Sequence, residues 1–346
     1  MNASPYIPLK ITSIHKETDD FRTFVFDENP LTYEAGQYLT LVHQGEHGEI
    51  RRSYSITSSP ELGEPLSIGV KRISNGVYSR LLVDQAKVGD VLTAAGTGGF
   101  FKLPEAGAQP QCLYFFAAGA GITPIFAMIK SALLRNKSWK IVLVYSSSSA
   151  RKAVYLDALN ALLQANKERL KIHFLFSDSK QLAFARLDRD QILSVLPEQA
   201  FRQHSIYYTC GPAAYMRMVI FVLMEAGISR SNIKKEDFIP LRTHAGILTP
   251  PDQSAHMVTL EFNGISYRFQ VQYPETILSA ARKHNPALPF SCEVGKCGNC
   301  VARVRKGNIW MSNNEVLLDE ELEKGLVLTC VGYPVHGDAE LSMGIK

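Results

Sequence analysis

Four cysteines constrain this chain more than any other feature. Cys292, Cys297 and Cys300 form a C-x4-C-x2-C run, and Cys330 follows after 29 intervening residues. Cysteines in small secreted chains read as disulfides, but 346 residues make this chain too long for that class, and a metal or redox site is favoured. Two bridged irons need four thiolates, and a close-set trio leaves one ligand to come from a distant segment that closes the cage. The C-x4-C-x2-C…C spacing is that of a [2Fe–2S] centre. Gly295 and Gly298 lie within the run, where they relieve steric strain and let backbone N–H groups approach the sulfurs. The other arrangement open to four thiolates is structural zinc, which more often uses two C-x2-C pairs.

Composition narrows the rest. Hydrophobic residues make up 46% and charged residues 20%, so wholesale disorder is not expected. A formal charge of +4 is too mild to mark a nucleic-acid binder. Apolar runs such as Met218 to Met224 (MVIFVLM) fall far short of the roughly 20 residues that cross a bilayer. The opening Met1-Asn-Ala-Ser-Pro-Tyr has no basic stretch before an apolar core, so no signal peptide is expected. The expectation is a cytoplasmic protein without nucleic-acid or membrane partners, monomeric apart from a redox partner.

Three textures follow one another, predicting a multidomain chain. Residues 1–107 alternate apolar and polar residues in short stretches (Phe21 to Phe26, Tyr38 to Val42, Leu66 to Val70) broken by Gly and Pro, with one helix expected over Val77 to Ala86. That pattern predicts an antiparallel β-barrel or sandwich. Over 108–240 the apolar runs Cys112 to Ala118, Lys140 to Tyr145, Leu170 to Phe176 and Ser205 to Thr209 are spaced by helical stretches, Val154 to Ala165 and Ala213 to Ala226 among them. Alternating strands and helices predict an α/β, doubly wound parallel sheet. Residues 241–255 are rich in Pro and polar residues, as a linker is. The block 256–346 opens with strand candidates Met257 to Phe262 and Tyr267 to Val271 and a helix near Pro274, then carries the cysteines. From residue 251 onward nine basic residues face eleven acidic ones, net −2, leaving +6 on the rest.

The segment Pro289 to Val304 (PFSCEVGKCGNCVARV), with Val327-Leu-Thr-Cys330, closely resembles plant-type ferredoxins, implying an α+β, β-grasp domain. Upstream, Arg52-Ser-Tyr-Ser55 resembles the R-x-Y-S flavin motif of the ferredoxin–NADP reductase superfamily. That resemblance implies Arg52 on the pyrophosphate of FAD, Tyr54 against the isoalloxazine and Ser55 near the flavin N5. Arginine pairs with phosphate through charge-assisted bonds and tyrosine offers a flat apolar face, so the chemistry agrees. Val70-Lys71-Arg72 and Gly76-Val77-Tyr78-Ser79 resemble the family's V-K-R and G-V-x-S segments, which cradle phosphate. Gly76 to Ser79 fall at a predicted helix start, where unpaired N–H groups favour anions. Most relatives use FAD; some with a C-terminal ferredoxin take FMN.

Gly119-Ala-Gly121-Ile-Thr123-Pro124 follows a predicted strand and matches the family's G-x-G-I-T-P, with Pro124 standing where a Rossmann fingerprint has its third glycine. The glycines let the backbone approach a pyrophosphate, and Pro is unstrained in a helix's first turn. Thr209-Cys210-Gly211-Pro212 resembles the family's C-G-P turn, which implies Cys210 at the nicotinamide. Glu236-Asp-Phe238 stands at the family's E-x-F, implying Glu236 as a proton relay and Phe238 beside the flavin; an exposed acid followed by a core Phe is the plainer reading. Val144 to Lys152 (VYSSSSARK) carries no acid for a ribose 2′-hydroxyl but supplies hydroxyls and two cations, Arg151 and Lys152. Relatives commonly have an Arg where Ser148 stands. With Arg186 as a further phosphate ligand, NADPH is expected over NADH.

Barrel, nucleotide domain and ferredoxin, in this order, resemble reductase components of multicomponent oxygenases, the phenylacetyl-CoA oxygenase reductase among them. The resemblance implies an NAD(P)H oxidoreductase passing electrons through FAD and the cluster to a partner oxygenase. Open alternatives are the same path serving a hybrid-cluster or haem protein, or a non-catalytic cluster- or zinc-bearing binding module.

Overall fold

The computed structural model describes residues 6–27, 31–45, 48–74, 76–105, 112–181, 184–238, 249–285 and 288–344. The expected break at 107–108 lies outside them, as do 241–248 of the expected linker. The chain divides into two compact units, one made of 8–97 and 101–238, the other of 239–346 with the short segments 1–7 and 98–100.

The larger unit holds two sheets. Six strands, β1 (Ile7–Thr18), β2 (Phe21–Phe26), β3 (Tyr38–Gly45), β4 (Gly48–Ser55), β5 (Ser67–Lys71) and β6 (Val91–Gly98), run in the order β4-β3-β6-β1-β2-β5. An antiparallel bridge between Ile56 and Ile68 joins the two edges and closes the sheet into a barrel. Phe24 and Phe26 share one face of β2 and are fully buried, while Phe21 faces the other way, into the core of the parallel sheet. Helix α1 (Val77–Gln85) sits between β5 and β6 in sequence.

The second sheet orders β7 (Cys112–Ala118), β8 (Lys140–Ser147), β9 (Leu170–Phe176), β10 (Ser205–Cys210) and β11 (Ile233–Glu236) as β11-β10-β7-β8-β9, every pair parallel. Helices α2 (Ile122–Arg135), α3 (Leu156–Ala165), α4 (Arg189–Val195) and α5 (Ala213–Glu225) connect the strands. All of β7 is buried, as a central strand covered on both faces must be, which explains its unbroken apolar run. The strand order reverses between β7 and β10, so a crevice opens at their carboxyl ends.

The smaller unit has a mixed sheet of β12 (His256–Phe262), β13 (Ile265–Val271), β14 (Val301–Met311), β15 (Leu326–Leu328) and β16 (Gly332–Met343), ordered β13-β12-β16-β14-β15. Only the β12–β16 pair is parallel. Helix α6 (Ile277–Arg282) packs its apolar face into this unit's own core, and α7 (Asp319–Glu323) precedes β15. Asp252 pins the entry to the unit: its carboxylate accepts from the N–H groups of Ser254 and His336 and from His256 Nε2 at 2.7 to 2.9 Å. Those donors hold its pKa well below the usual carboxylate range. No helix among the described residues is long and apolar enough to cross a membrane.

Tyr155 locks barrel to parallel sheet. Its buried ring stacks on Phe126 at 4.5 Å and meets Phe21 of β2 edge-on at 6.0 Å, while its hydroxyl pairs with Thr23 Oγ1 at 3.0 Å. Tyr155→Phe is expected to lower the unfolding free energy by about 1 kcal/mol through the lost hydrogen bond. Tyr155→Ala is expected to cost about 3–5 kcal/mol through the cavity left behind. Denaturant titration of both variants measures the difference.

Candidate functional site

The crevice is made by two turns whose backbones touch. After β7 the chain turns through Gly119 to Gly121 into α2, and after β10 through Gly211 and Pro212 into α5. A Cβ on Gly121 would stand 2.0 Å from the Cys210 carbonyl oxygen, so no other residue fits there. Gly119 adopts φ +54°, the left-handed region, and accepts a long hydrogen bond from the Tyr145 hydroxyl. Thr123 is buried, its hydroxyl donating to the Ala120 carbonyl at 2.6 Å. Pro124 is buried in the first turn of α2, and Pro212 is exposed at the start of α5.

Cys210 and Glu236 are register partners on adjacent parallel strands. The Cys210 side chain has no exposed surface, and burial, then Glu236 and Asp237, push its thiol pKa well up. It therefore stays a neutral thiol. Oε2 of Glu236 is buried without a hydrogen-bond partner among the described residues, and burial raises this carboxyl to about 8. Thr209 Oγ1 is likewise buried and unpartnered among the described residues, and the buried hydroxyls of Ser146 and Tyr215 lie near each other.

A cleft of about 340 Å³ continues from the turns past Ser146, Ser147, Ser148 and Lys152 on one side and Asp20 and Lys71 on the other. Lys71 thus faces this cleft, with its ammonium 3.9 Å from Asp20. Arg151 and Arg186 are both exposed and are not brought to the cleft wall. The donor set fits a pyridine dinucleotide: glycine turns for the pyrophosphate, and hydroxyls and cations further out.

On the barrel, β3 and β4 pair Leu39 with Tyr54 and Tyr38 with Ser55. Alternation puts Arg52 and Tyr54 on one face and Ser55 on the other. Arg52 is exposed, one guanidinium N–H donating to the Arg51 carbonyl at 2.7 Å, whereas Ser55 is buried. Burial raises the Tyr54 phenol pKa far above its ordinary range. Val70 is buried in the barrel beside Gly69, whose Cβ would stand 2.6 Å from the Thr123 methyl. That close approach brings the V-K-R strand against the G-x-G-I-T-P turn. At Gly76 a Cβ would meet Ser79 Oγ at 2.5 Å. The Ser79 hydroxyl is engaged within the turn, accepting from Ile73 N at 3.2 Å and donating to the Gly76 carbonyl at 3.3 Å. Gly76 caps α1 without a side-chain bond and Val77 is largely exposed, which leaves the helix's first N–H groups open to an anion. The arrangement fits FAD. Phe238 is 42% exposed.

Spacing gave no sign of Tyr78, whose ring stacks on His43 at 5.1 Å and meets Tyr54 edge-on at 6.3 Å. Asp20, Gly69, Tyr145 and Tyr215 also lay outside any motif. Each reaches the site through strand register or helix phase rather than through local sequence.

In the smaller unit the four thiols converge. Cys292 lies within hydrogen-bonding reach of Cys297 and Cys330, and Cys300 of Cys330. Cys292 Sγ also accepts from Lys296 N at 3.4 Å. Gly295 and Gly298 adopt φ of +77° and +73°, and a Cβ on Gly295 would stand 2.8 Å from the Asn313 carbonyl. Four converging sulfurs with N–H groups aimed at them fit a [2Fe–2S] cluster.

Three family models match the chain: an "Oxidoreductase FAD-binding domain" over 8–103, an "Oxidoreductase NAD-binding domain" over 115–220 and a "2Fe-2S iron-sulfur cluster binding domain" over 260–335. The chain is 29% identical to the ferredoxin reductase component of 3-ketosteroid-9-alpha-monooxygenase from Rhodococcus rhodochrous, over 96% of both chains. It is also 29% identical to one of the subunits of 1,2-phenylacetyl-CoA epoxidase from Escherichia coli, over 98% of both. Its fold matches phthalate dioxygenase reductase with a TM-score of 0.61 at 24% identity, over 99% of this chain and 100% of that one.

Gly121→Ala forces the two turns apart. It is expected to slow pyridine-nucleotide-driven flavin reduction about a hundredfold, the cost of misplacing a bound reactant by an ångström. Stopped-flow absorbance at matched flavin content measures it.

Proposed function

We propose that this chain, an oxidoreductase of the ferredoxin–NADP reductase type with a C-terminal [2Fe–2S] domain, takes electrons from NADPH and delivers them singly to a partner oxygenase in the cytoplasm. Its domains are taken to run over 1–107, 108–240 and 256–346. The observation that carries the reading is the contact of Gly121 with Cys210, at the sheet's carboxyl edge and in the same unit as the R-x-Y-S barrel. FAD held by the barrel would supply the change from two-electron to one-electron transfer, and a [2Fe–2S] cluster held by the four cysteines would supply one-electron carriage.

Residues of the chain bind, orient and exclude water. Arg52 and the open N–H groups at Gly76 to Ser79 hold the flavin pyrophosphate, with Lys71 and Val70 shaping the adjacent strand. Tyr54 covers the ring and Ser55 lies at its reactive edge. Gly119, Gly121, Thr123 and Pro124 hold the nucleotide's pyrophosphate, and Cys210, Gly211 and Pro212 bound the nicotinamide. Phe238 closes the flavin side. Cys292, Cys297, Cys300 and Cys330 ligate the cluster.

Support for NADPH comes from Lys152 with the serines of the cleft, where the carboxylate present, Asp20, is next to Lys71. Arg151 precedes Lys152 in the same turn and adds positive charge beside it. An oxygenase acceptor is supported by the relatives that match over nearly their whole length. Lys152→Gln is expected to reduce kcat/KM for NADPH about tenfold while leaving NADH unchanged, the worth of one charge-assisted hydrogen bond.

Glu236 is the proton relay. With its carboxyl raised to about 8 it is protonated and able to donate below that pH and anionic above. Flavin reduction is expected to fall as pH rises through about 8, and Glu236→Gln to flatten the profile. Stopped-flow rates across that range are the check. Cys297→Ser is expected to abolish cytochrome c reduction through the cluster while NADPH still reduces the flavin at the parent rate. Loss of both steps would overturn this order of electron flow.

A further inference from the structure

The cluster loop carries a lysine whose side chain is buried. Lys296 stands between the ligands Cys292 and Cys297, directly before the second, and its side chain is only 6% exposed. A lysine is seldom buried unless paired. Its ammonium meets Glu315 Oε1 at 3.0 Å. Glu315 lies on the segment that clamps the loop: Glu315 N donates to the Gly295 carbonyl at 3.0 Å, and Asn313 Nδ2 donates to the Val294 carbonyl at 2.7 Å. The backbone N–H of Lys296 itself points at Cys292 Sγ. Both charges of the pair are thus fixed to the loop that wraps the sulfurs.

A second ion pair touches the same loop. Arg282 binds Glu293 at 2.7 Å, but these side chains are 39% and 50% exposed. Water screens such a pair, whereas charges shielded from water act at longer range. Glu315 is 33% exposed and Lys296 6%, so this pair is screened less than Arg282–Glu293, and its ammonium is the charge shielded from water beside the ligands.

Resting on the [2Fe–2S] reading above, we propose that Lys296 and Glu315 form an internal charge pair that sets the reduction potential of the cluster held by the flanking cysteines. The electron a cluster accepts adds negative charge. The Lys296 ammonium favours that state and the Glu315 carboxylate opposes it, so the pair holds a balance. Hydrogen bonds to the sulfurs and net charge nearby are the means by which a protein tunes such a centre. Lys296 and Glu315 are positioning residues: neither is a ligand.

The test is a redox titration of the intact holoprotein monitored by electron paramagnetic resonance, with iron and sulfide measured in each sample. Lys296→Met is expected to lower the potential and Glu315→Gln to raise it. Each shift should change the ratio of reduced to oxidised cluster at fixed poise at least about threefold, about 28 mV for one electron at 59 mV per tenfold. Lys296→Arg and the double variant Lys296→Met/Glu315→Gln are expected within threefold of the parent. Shifts of the same sign, or single-variant shifts under threefold, would overturn the proposal, since a purely structural clamp moves both variants alike. If Lys296→Met fails to hold a cluster, Glu315→Gln and the double variant decide. A parent without about two irons and two sulfides per chain would overturn the cluster reading and this proposal together.

Discussion

The reducing half of the molecule depends on one backbone contact, Gly121 against the carbonyl of Cys210. It is possible because β7 and β10 lie side by side and parallel, Cys210 in register with Ala117, so both strands end at the same level. Their turns must then leave in different directions within a few ångströms, and any side chain on the first turn would collide with the second. The buried Cys210 thiol and the Glu236 carboxyl are consequences of that crowding. One is kept neutral by exclusion of solvent, and the other keeps its proton to about pH 8.

A crevice on one sheet serves electron transfer only if the barrel is held to it. Three kinds of link do this. Aromatic packing of Tyr155 between Phe21 and Phe126 supplies buried area. Gly69 lets the barrel's β5 meet Thr123 at van der Waals range. Beyond them, Ser59 pairs with Ser131, Lys130 with Glu64 and Arg135 with Glu61, all between the barrel side and α2. Lys130 is nearly buried and lies over the Phe126 ring, and desolvation pulls its pKa down against the pull of Glu64. Breaking such a pair leaves a buried charge uncompensated, which costs more than the pair contributes intact.

Features fixed within a few residues were legible in the sequence. The unbroken apolar run of β7, the glycine turns and the C-x4-C-x2-C loop each need their residue types locally, so each shows in the order of the letters. Features made by register were not. Asp20, Gly69, His43 and Tyr78 meet the site only because strands or helices that are distant in sequence pair or stack, and no spacing announces that. The serines after β8 illustrate the boundary: their hydroxyls were visible as a run, but which cation joins them is decided by the short 3₁₀ turn at Ala150–Lys152, which turns Lys152 to the cleft wall. Charge alone made Arg151 and Lys152 equivalent; the turn does not.

The same distinction explains how a cysteine so far along the chain joins the other three. Strands β14 and β15 pair Val301 with Leu328, which sets Cys300 and Cys330 on the two sides of one ladder end. Thr329 then bonds the Cys300 carbonyl twice, through its N–H at 3.2 Å and its hydroxyl at 2.8 Å. Both cysteines are buried in the core formed by Leu328, Val327 and Leu278. Half of the ligand set is therefore positioned by hydrophobic packing and strand register before any metal arrives. The other half, Cys292 and Cys297, lies on a loop that leaves the core at Phe290 and is held further along by Asn313, Glu315 and Lys296. Metal binding is coupled to folding most strongly where ligands are not preformed. Order in this site thus grows outward from Cys300 and Cys330, and the polar clamp on the loop takes over where the core's reach ends.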